Sequence, residues 1–195
     1  MYNPLLSALN SHCSLCISLT DGEMFENIKA DIKRFGGDRI SLRMILRGLL
    51  SQGFQAIVVY RLFHWLRERH IPAQPFRFII ERFIEVTTGI SIPAECNIGK
   101  GLRIHHFGGI ILHPQTEIGD NCTLYHEVTV GDRGGHGGAA TIGNNVLIGA
   151  GAKIIGEIAI GDNCKIGANT VVNKNVPADT IVSSPRCDFR NKNVS

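Results

Sequence analysis

The chain has 195 residues, 44% of them hydrophobic and 19% charged, an ordinary globular composition that fits one large or two small domains. Its net charge of +3 comes without any run of five or six like charges, which argues against a nucleic-acid partner. The first twenty residues hold no Lys or Arg, and no apolar run reaches the ~20 residues that span a bilayer, so a soluble cytoplasmic protein is expected.

Residues 1–20 read as an N-terminal extension. Within it Cys13 and Cys16 form a lone CxxC, a weak metal or redox signal because no second ligand pair stands at matching spacing. Residues 21–89 read as a helical domain. Phe25, Ile28, Ile32 and Phe35 recur at three-four spacing, and the run stops at Gly36 and Gly37, as in an amphipathic helix with a glycine terminator. Ser41 is the expected cap of a second helical region, which Gly53 interrupts before Pro72, and PFRFIIERFIEVTTG reads as a third helix ending near Gly89. Residues 41–82 carry seven Arg against two acids. A membrane-facing surface is one reading. The simpler one makes Arg61, Arg67, Arg69 and Arg77 the solvated sides of packed helices.

From Ile90 the period becomes six. Ile92, Ile98, Ile104 and Ile110 form one series; Leu112, Ile118, Leu124 and Val130 form a second, displaced by two residues; Ile142, Ile148, Ile154, Ile160, Ile166 and Val172 form a third in the frame of the second. Such hexapeptide repeats build a parallel β-helix, three hexapeptides to a triangular coil, and proteins of this class wind left-handed, an exception to the crossover rule. The expected fold class is therefore α+β: a helical N-terminal region, then a left-handed parallel β-helix over 90–182 with a loop at 131–141, then a tail over 183–195. Cys96, Cys122 and Cys164 each fall four places after an aliphatic, a slot that points inward, so they read as reduced core residues.

Five of the eight histidines lie between 105 and 136. Counting one coil from Ile104 to Leu124 places His106 over His126, and His105 over Tyr125, on strands about 4.8 Å apart. The glycine-rich GDRGGHGGAAT has His136 where an aliphatic is due, which marks a loop leaving the coil; loops on a rigid scaffold commonly complete a site. Stacked imidazoles, a register shift and this loop concentrate irregularity in one place, as functional sites do.

The residues TGISIPAECNIGKGLRIHHFGGIIL, IGDNCTLYHEVTVGD and IGAGAKIIG resemble the serine acetyltransferase family of hexapeptide-repeat acyltransferases, over about Phe25 to Ile181. The resemblance implies transfer of an acetyl group from acetyl-CoA to the hydroxyl of L-serine or a similar small polar acceptor. It implies homotrimers or dimers of trimers with active sites between neighbouring coils; the short helical part favours the simple trimer. The aligned catalytic base is His106, with His105 and His126 beside it as further candidates. Backbone N–H groups around Gly131 are the candidate oxyanion donors. Gly149, Ala150, Gly151, Ala152 and Lys153, with Lys165, Gly167 and Ala168, match the repeats that line the coenzyme A groove, and Arg133 and His136 match the basic pair of the acceptor loop. No metal is required.

The chain also departs from the family pattern. The Asp before the base is His105 here and the supporting Asp upstream is Ser91. The C-terminal signature reads Ser183, Ser184, Pro185, Arg186. These changes resemble the branch that acetylates a sugar hydroxyl in exopolysaccharide or capsule assembly. Two other readings are a His-zinc hydratase on the same fold, with His106, His113 and His126 as ligands, and a non-catalytic trimeric scaffold. The tail CDFRNKNVS lacks the terminal Ile that relatives insert into the sulfhydrylase, so that complex is not expected.

Overall fold

The computed structural model describes residues 15–35, 41–135 and 137–184; Cys13, the Cys16 side chain, His136 and everything after Ser184 lie outside the described residues. Among the described residues four helices come first: α1 (Leu15–Lys33), α2 (Leu42–Leu50), α3 (Gln52–Glu68) and α4 (Gln74–Thr88). Helix α1 begins six residues before Asp21, because LCISLT contains no breaker to delay it. Ser41 caps α2 as its sequence position demands, its hydroxyl accepting from the Met44 N–H. The break before α3 falls at Ser51, however, not at Gly53. Gly53 serves a different purpose: a Cβ there would stand 2.8 Å from the Ile104 Cβ, so its bare backbone is what lets α3 lie against the coil. Helix α4 ends at Gly89 in the left-handed region, φ 66°.

The arginine expectation fails at Arg61. Its side chain is buried and ion-paired with Asp31, which is fully buried on α1. The guanidinium also donates to the carbonyls of Ile98 and Gly99, and Asp31 accepts from the Leu102 N–H. This polar clamp, with the Tyr60 hydroxyl donating to the Cys96 carbonyl and accepting from the Ile98 N–H, fastens the helices to the first coil. Arg77 pairs with Glu81 and Glu95, and Arg69 lies over the Trp65 ring. Arg67 is the solvated one of the four, beside Glu68. Of the α1 series Ile32 is buried and Ile28 and Phe35 are half-buried, as the spacing predicts, and Phe35 meets Phe54 of α3; Phe25 alone of the series is exposed, while Asp31 joins the buried side.

Fourteen short strands follow among the described residues: β1 (Ile90–Ser91), β2 (Asn97–Ile98), β3 (Arg103–His105), β4 (Ile110–Leu112), β5 (Glu117–Ile118), β6 (Thr123–Tyr125), β7 (Thr129–Gly131), β8 (Thr141–Ile142), β9 (Leu147–Ile148), β10 (Lys153–Ile155), β11 (Ala159–Ile160), β12 (Lys165–Ile166), β13 (Val171–Val172) and β14 (Ile181–Val182). They form three parallel sheets, the faces of a left-handed triangular prism. The first face is β1-β4-β7-β10-β13, the second β2-β5-β8-β11 and the third β3-β6-β9-β12-β14. Ile104 pairs with Leu124, Leu124 with Ile148 and Ile148 with Ile166. All the aliphatics of the six-residue series are buried. Each is worth about 1.5–3 kcal/mol relative to exposure, and the repetition of that term down the prism is what holds the period.

Register locates the irregularities. His105 pairs with Tyr125, twenty residues on, but Ile111 pairs with Thr129, only eighteen on. The two surplus residues therefore sit in the corner between His105 and Ile111. Gly131 pairs with Ile155 and Glu117 with Thr141, twenty-four residues on in each case, which puts six surplus residues in the loop between 131 and 141.

Cys96, Cys122 and Cys164 are fully buried free thiols. Each donates to a backbone carbonyl, of His113, Gly143 and Pro177 respectively. Burial pushes the Cys96 thiol up to about 12 and that of Cys122 to about 11, so neither forms thiolate near neutral pH. Iodoacetamide followed by peptide mass analysis will label these three only after denaturation; labelling of the native protein would contradict their placement.

Candidate active site

The edge where the third face turns into the first collects most of the candidate residues. Down this edge stand the corners 105–110, 125–128, 149–152 and 167–170, one per coil. Backbone bonds join them in a column: Glu127 N–H to the Gly108 carbonyl at 2.9 Å, Gly151 N–H to the His126 carbonyl at 3.0 Å, and Asn169 N–H to the Ala150 carbonyl at 2.8 Å. The imidazoles thus lie on the same column as the Gly/Ala corners.

His105 stacks on Tyr125, ring centroids 4.8 Å apart and planes 12° from parallel. His106 meets His126 edge to face, 5.6 Å between centroids at 84°. The two surplus residues of this corner explain the difference: β3 and β6 stay in register through His105, then His106 takes φ 65° and swings out of the stack. A non-glycine residue there costs on the order of 1 kcal/mol, strain of the kind that gathers at functional sites. Burial, then the charge of Arg103, then His106 and Arg34, hold the His105 imidazole below its ordinary value, so it is neutral at pH 7. The buried Nδ1 of His126 has no hydrogen-bond partner among the described residues. An imidazole pair with an unsatisfied ring nitrogen can accept or relay a proton.

Below the imidazoles the corner side chains are small. Ala150, Gly167 and Ala168 reach the surface, whereas Gly149, Gly151 and Ala152 are buried. A Cβ on Gly149 would stand 2.7 Å from the Ala168 N, so the coils close on one another there and leave a low, smooth edge along which an extended pantetheine chain fits. Ala152 points into the core and can shape this cradle only from beneath.

The two lysines separate. The Lys153 ammonium donates to the Glu127 carbonyl at 2.6 Å and the Thr129 hydroxyl at 3.0 Å; it braces the corner beside His126 and is not turned to solvent as a phosphate ligand. Lys165 is exposed on the third face. Sequence reasoning missed the Lys153 brace because its partners lie 26 and 24 residues away on the preceding coil.

Gly131 and Arg133 lie elsewhere in the chain. Gly131 ends β7, so the width of the first face separates it from the imidazoles. Arg133 belongs to the next edge, where its guanidinium crosses Gly156 and donates to the Asn173 carbonyl. His113 is on that next edge too, its Nδ1 accepting from the Gln115 N–H. The three histidines of the zinc reading are therefore not together within one chain, and no group of three or more His, Cys, Asp or Glu placed to hold a metal occurs among the described residues.

Prism, helical cap and small-residue column define a hexapeptide-repeat transferase, and the family model for bacterial transferase hexapeptide (six repeats) matches residues 139–174. The serine acetyltransferase of Synechococcus elongatus is 37% identical over 166 residues, covering 83% of this chain and 67% of that one. That of Helicobacter pylori is 43% identical over 134 residues, covering 66% and 75%. Among solved structures, the serine acetyltransferase of Brucella abortus in complex with coenzyme A superposes with a TM-score of 0.76 at 30% identity, covering 88% of this chain and 69% of that one. The Entamoeba histolytica isoform 3 enzyme in complex with cysteine gives 0.74 at 32%, covering 92% and 66%. The chain belongs to the serine acetyltransferase family. It spans about two thirds to three quarters of the length of these relatives.

Proposed function

We propose that this chain is an acetyl-CoA-dependent O-acetyltransferase that uses L-serine as acceptor and His106 as general base, and that it works in the cytoplasm as a homotrimer. One observation carries the reading: the His106–His126 pair heads the same backbone-bonded column as the Gly/Ala corners. A thioester whose pantetheine follows that column ends at the imidazoles.

His106 accepts the acceptor hydroxyl proton as the oxygen attacks the thioester carbonyl, a role that typically supplies 10²- to 10⁴-fold in rate. The tetrahedral intermediate collapses with cleavage of the C–S bond, and the proton returns from His106 to the departing sulfur. The products are the acetyl ester and coenzyme A thiol. His126 and the neutral His105 fix His106 in place of the carboxylates the family carries at positions 105 and 91. Ala150, Gly167 and Ala168 take the pantetheine with Gly149, Gly151 and Ala152 beneath it, and Lys165 is the cation free to meet a phosphate. The steps need no metal.

An edge of a prism is convex, so one chain alone cannot shield the thioester from water. A neighbouring copy that sets its Gly131–Arg133 edge against the imidazoles closes the groove and supplies oxyanion donors and an acceptor-binding cation. The short helical cap supports a trimer.

Free-thiol release from acetyl-CoA, with L-serine and a panel of sugars run side by side, tests the reading. Serine is expected to turn over. Turnover with a sugar alone would move the acceptor to a carbohydrate hydroxyl, and no thiol with any acceptor, together with no coenzyme A binding by calorimetry, would leave a scaffold.

A further inference from the structure

Two edges of the prism turn through residues with left-handed backbone. Between the second and third faces these are Gly101, Asn121, Asn145, Asn163 and Asp179; on the edge that carries the imidazoles they include Gly109, Gly151 and Asn169. Glycine, Asn and Asp take that conformation most readily. Of the described residues on either edge, only His106 (φ 65°) and Glu127 (φ 59°) adopt it without belonging to that set. They occupy neighbouring corners, and one of them is the proposed base. A left-handed glutamate beside it marks a corner where the side chain counts for more than the ease of the turn.

The Glu127 side chain rises toward the corner of His106. A Cβ on Gly109 would stand 2.9 Å from the Glu127 Cγ, so the glutamate stem lies across the turn 105–110, and its backbone N–H is anchored on the Gly108 carbonyl at 2.9 Å. Glu127 is exposed and makes no ion pair among the described residues. The adjacent cation, Lys153, donates to its main-chain carbonyl instead. Negative charge is otherwise scarce here. Glu127 is the single acid in the four corners 105–110, 125–128, 149–152 and 167–170. Helix α4 ends against Gly108, but its Glu81 and Glu85 are matched by Arg77 and Arg82. Positive charge reaches the site as well, since Arg103 and Arg34 help hold the His105 imidazole below its ordinary value.

L-Serine brings an ammonium as well as a hydroxyl and a carboxylate. With its hydroxyl at His106, the ammonium would meet only imidazoles and guanidinium charge were no acid at hand. We propose that the Glu127 carboxylate binds the ammonium of the acceptor, and so selects an amino acid over other small hydroxyl compounds; this rests on serine as acceptor and His106 as base. The cation that a neighbouring copy brings to the groove takes the carboxylate end. The two ends of the zwitterion are then held by opposite charges, which fixes the direction in which the hydroxyl points. An ammonium-to-carboxylate hydrogen bond is charge-assisted and stronger than a neutral one, so the discrimination is carried mainly by this contact.

Steady-state kinetics of the full chain with L-serine and with glycerate, which has a hydroxyl in place of the ammonium, test this. Glu127→Gln keeps the shape and removes the charge. It should raise KM for L-serine about 10- to 100-fold, with a much smaller change in kcat and none in KM for acetyl-CoA. Its kcat/KM for glycerate should not fall, so the preference for serine shrinks by the same factor. Glu127→Asn gives this corner the residue that position 169 carries. It should show the same raised KM together with a higher unfolding temperature, because Asn accepts left-handed backbone more readily. An unaltered serine KM in both variants overturns the inference. So does a fall in kcat with a displaced pH profile at unaltered KM, which would make Glu127 a positioning residue behind His106. Dissociation of the variants into single chains in sedimentation equilibrium also overturns it, since Glu127 would then pair across an interface. A wild-type chain inert toward L-serine but active on a sugar would end the serine reading itself, and this inference with it.

Discussion

His106→Ala will lower kcat by at least two orders of magnitude and leave coenzyme A affinity nearly unchanged. The argument is geometric. His106 is turned out of the stack by its left-handed backbone, whereas the pantetheine cradle lies two and three coils further down the column. Removing the imidazole therefore removes a proton acceptor for the acceptor hydroxyl without touching the surface that holds the donor, and a group that acts only in the transition state shows up in kcat and kcat/KM alike. Stability should move by no more than about 1 kcal/mol, because the residue is exposed and pays αL strain in either form. His126→Ala should also depress kcat, by less, since its ring holds His106 at 5.6 Å and does not itself meet the acceptor. Wild-type turnover in the first variant would end the base assignment, and unaltered kinetics and pH profile in the second would end the pairing.

Asp31→Ala will destabilise the fold by about 3–5 kcal/mol, a large share of the ~5–15 kcal/mol that holds a typical domain. Burial pushes the Asp31 carboxyl above its ordinary value even though Arg61 opposes the shift, so desolvation outweighs attraction and the intact pair is no large net stabiliser. The effect of the variant comes from what remains: a guanidinium buried between α1, α3 and the first coil with its charge uncompensated, and a Leu102 N–H with no acceptor. Two measurements check this account. Denaturant unfolding should show the loss in Asp31→Ala, and Asp31→Leu/Arg61→Met should recover most of it, because an apolar pair of similar volume leaves no charge behind. A double variant as unstable as the single one would show that the contribution is packing and not electrostatics.

The coil was legible in the sequence because a parallel β-helix is nearly one-dimensional: each six-residue step repeats the same inward position, so the period alone places Ile98, Ile104 and Leu112 in the core. The two-residue displacement carried more than the fold. Counted through, it set His105 over Tyr125 and His106 over His126; the first pair stacks in register as expected, whereas the second meets edge to face because His106 turns out of the stack. The helical cap was harder to read. A three-four spacing gives a helix a side but does not say what that side will meet, and α3 is covered by α1, α2, α4 and the coil together; Arg61 therefore looks solvated in sequence and is buried in the fold. Gly53 likewise reads as a breaker, though its reason for being glycine is the approach of Ile104, fifty-one residues away.

By itself, the sequence determined the repeat, the inward positions and the stacking partners, since all three follow from counting along a chain that advances one strand spacing per coil. Only the tertiary structure decided which edge each residue occupies. The corners at 105–110 and 149–152 fall on one edge and Arg133 on the next, because the surplus residues between His105 and Ile111 and between Gly131 and Thr141 are absorbed at corners and leave the faces in register. The same packing turned Lys153 toward the preceding coil and Arg61 toward Asp31, where a buried cation finds the oxygen atoms that water no longer supplies.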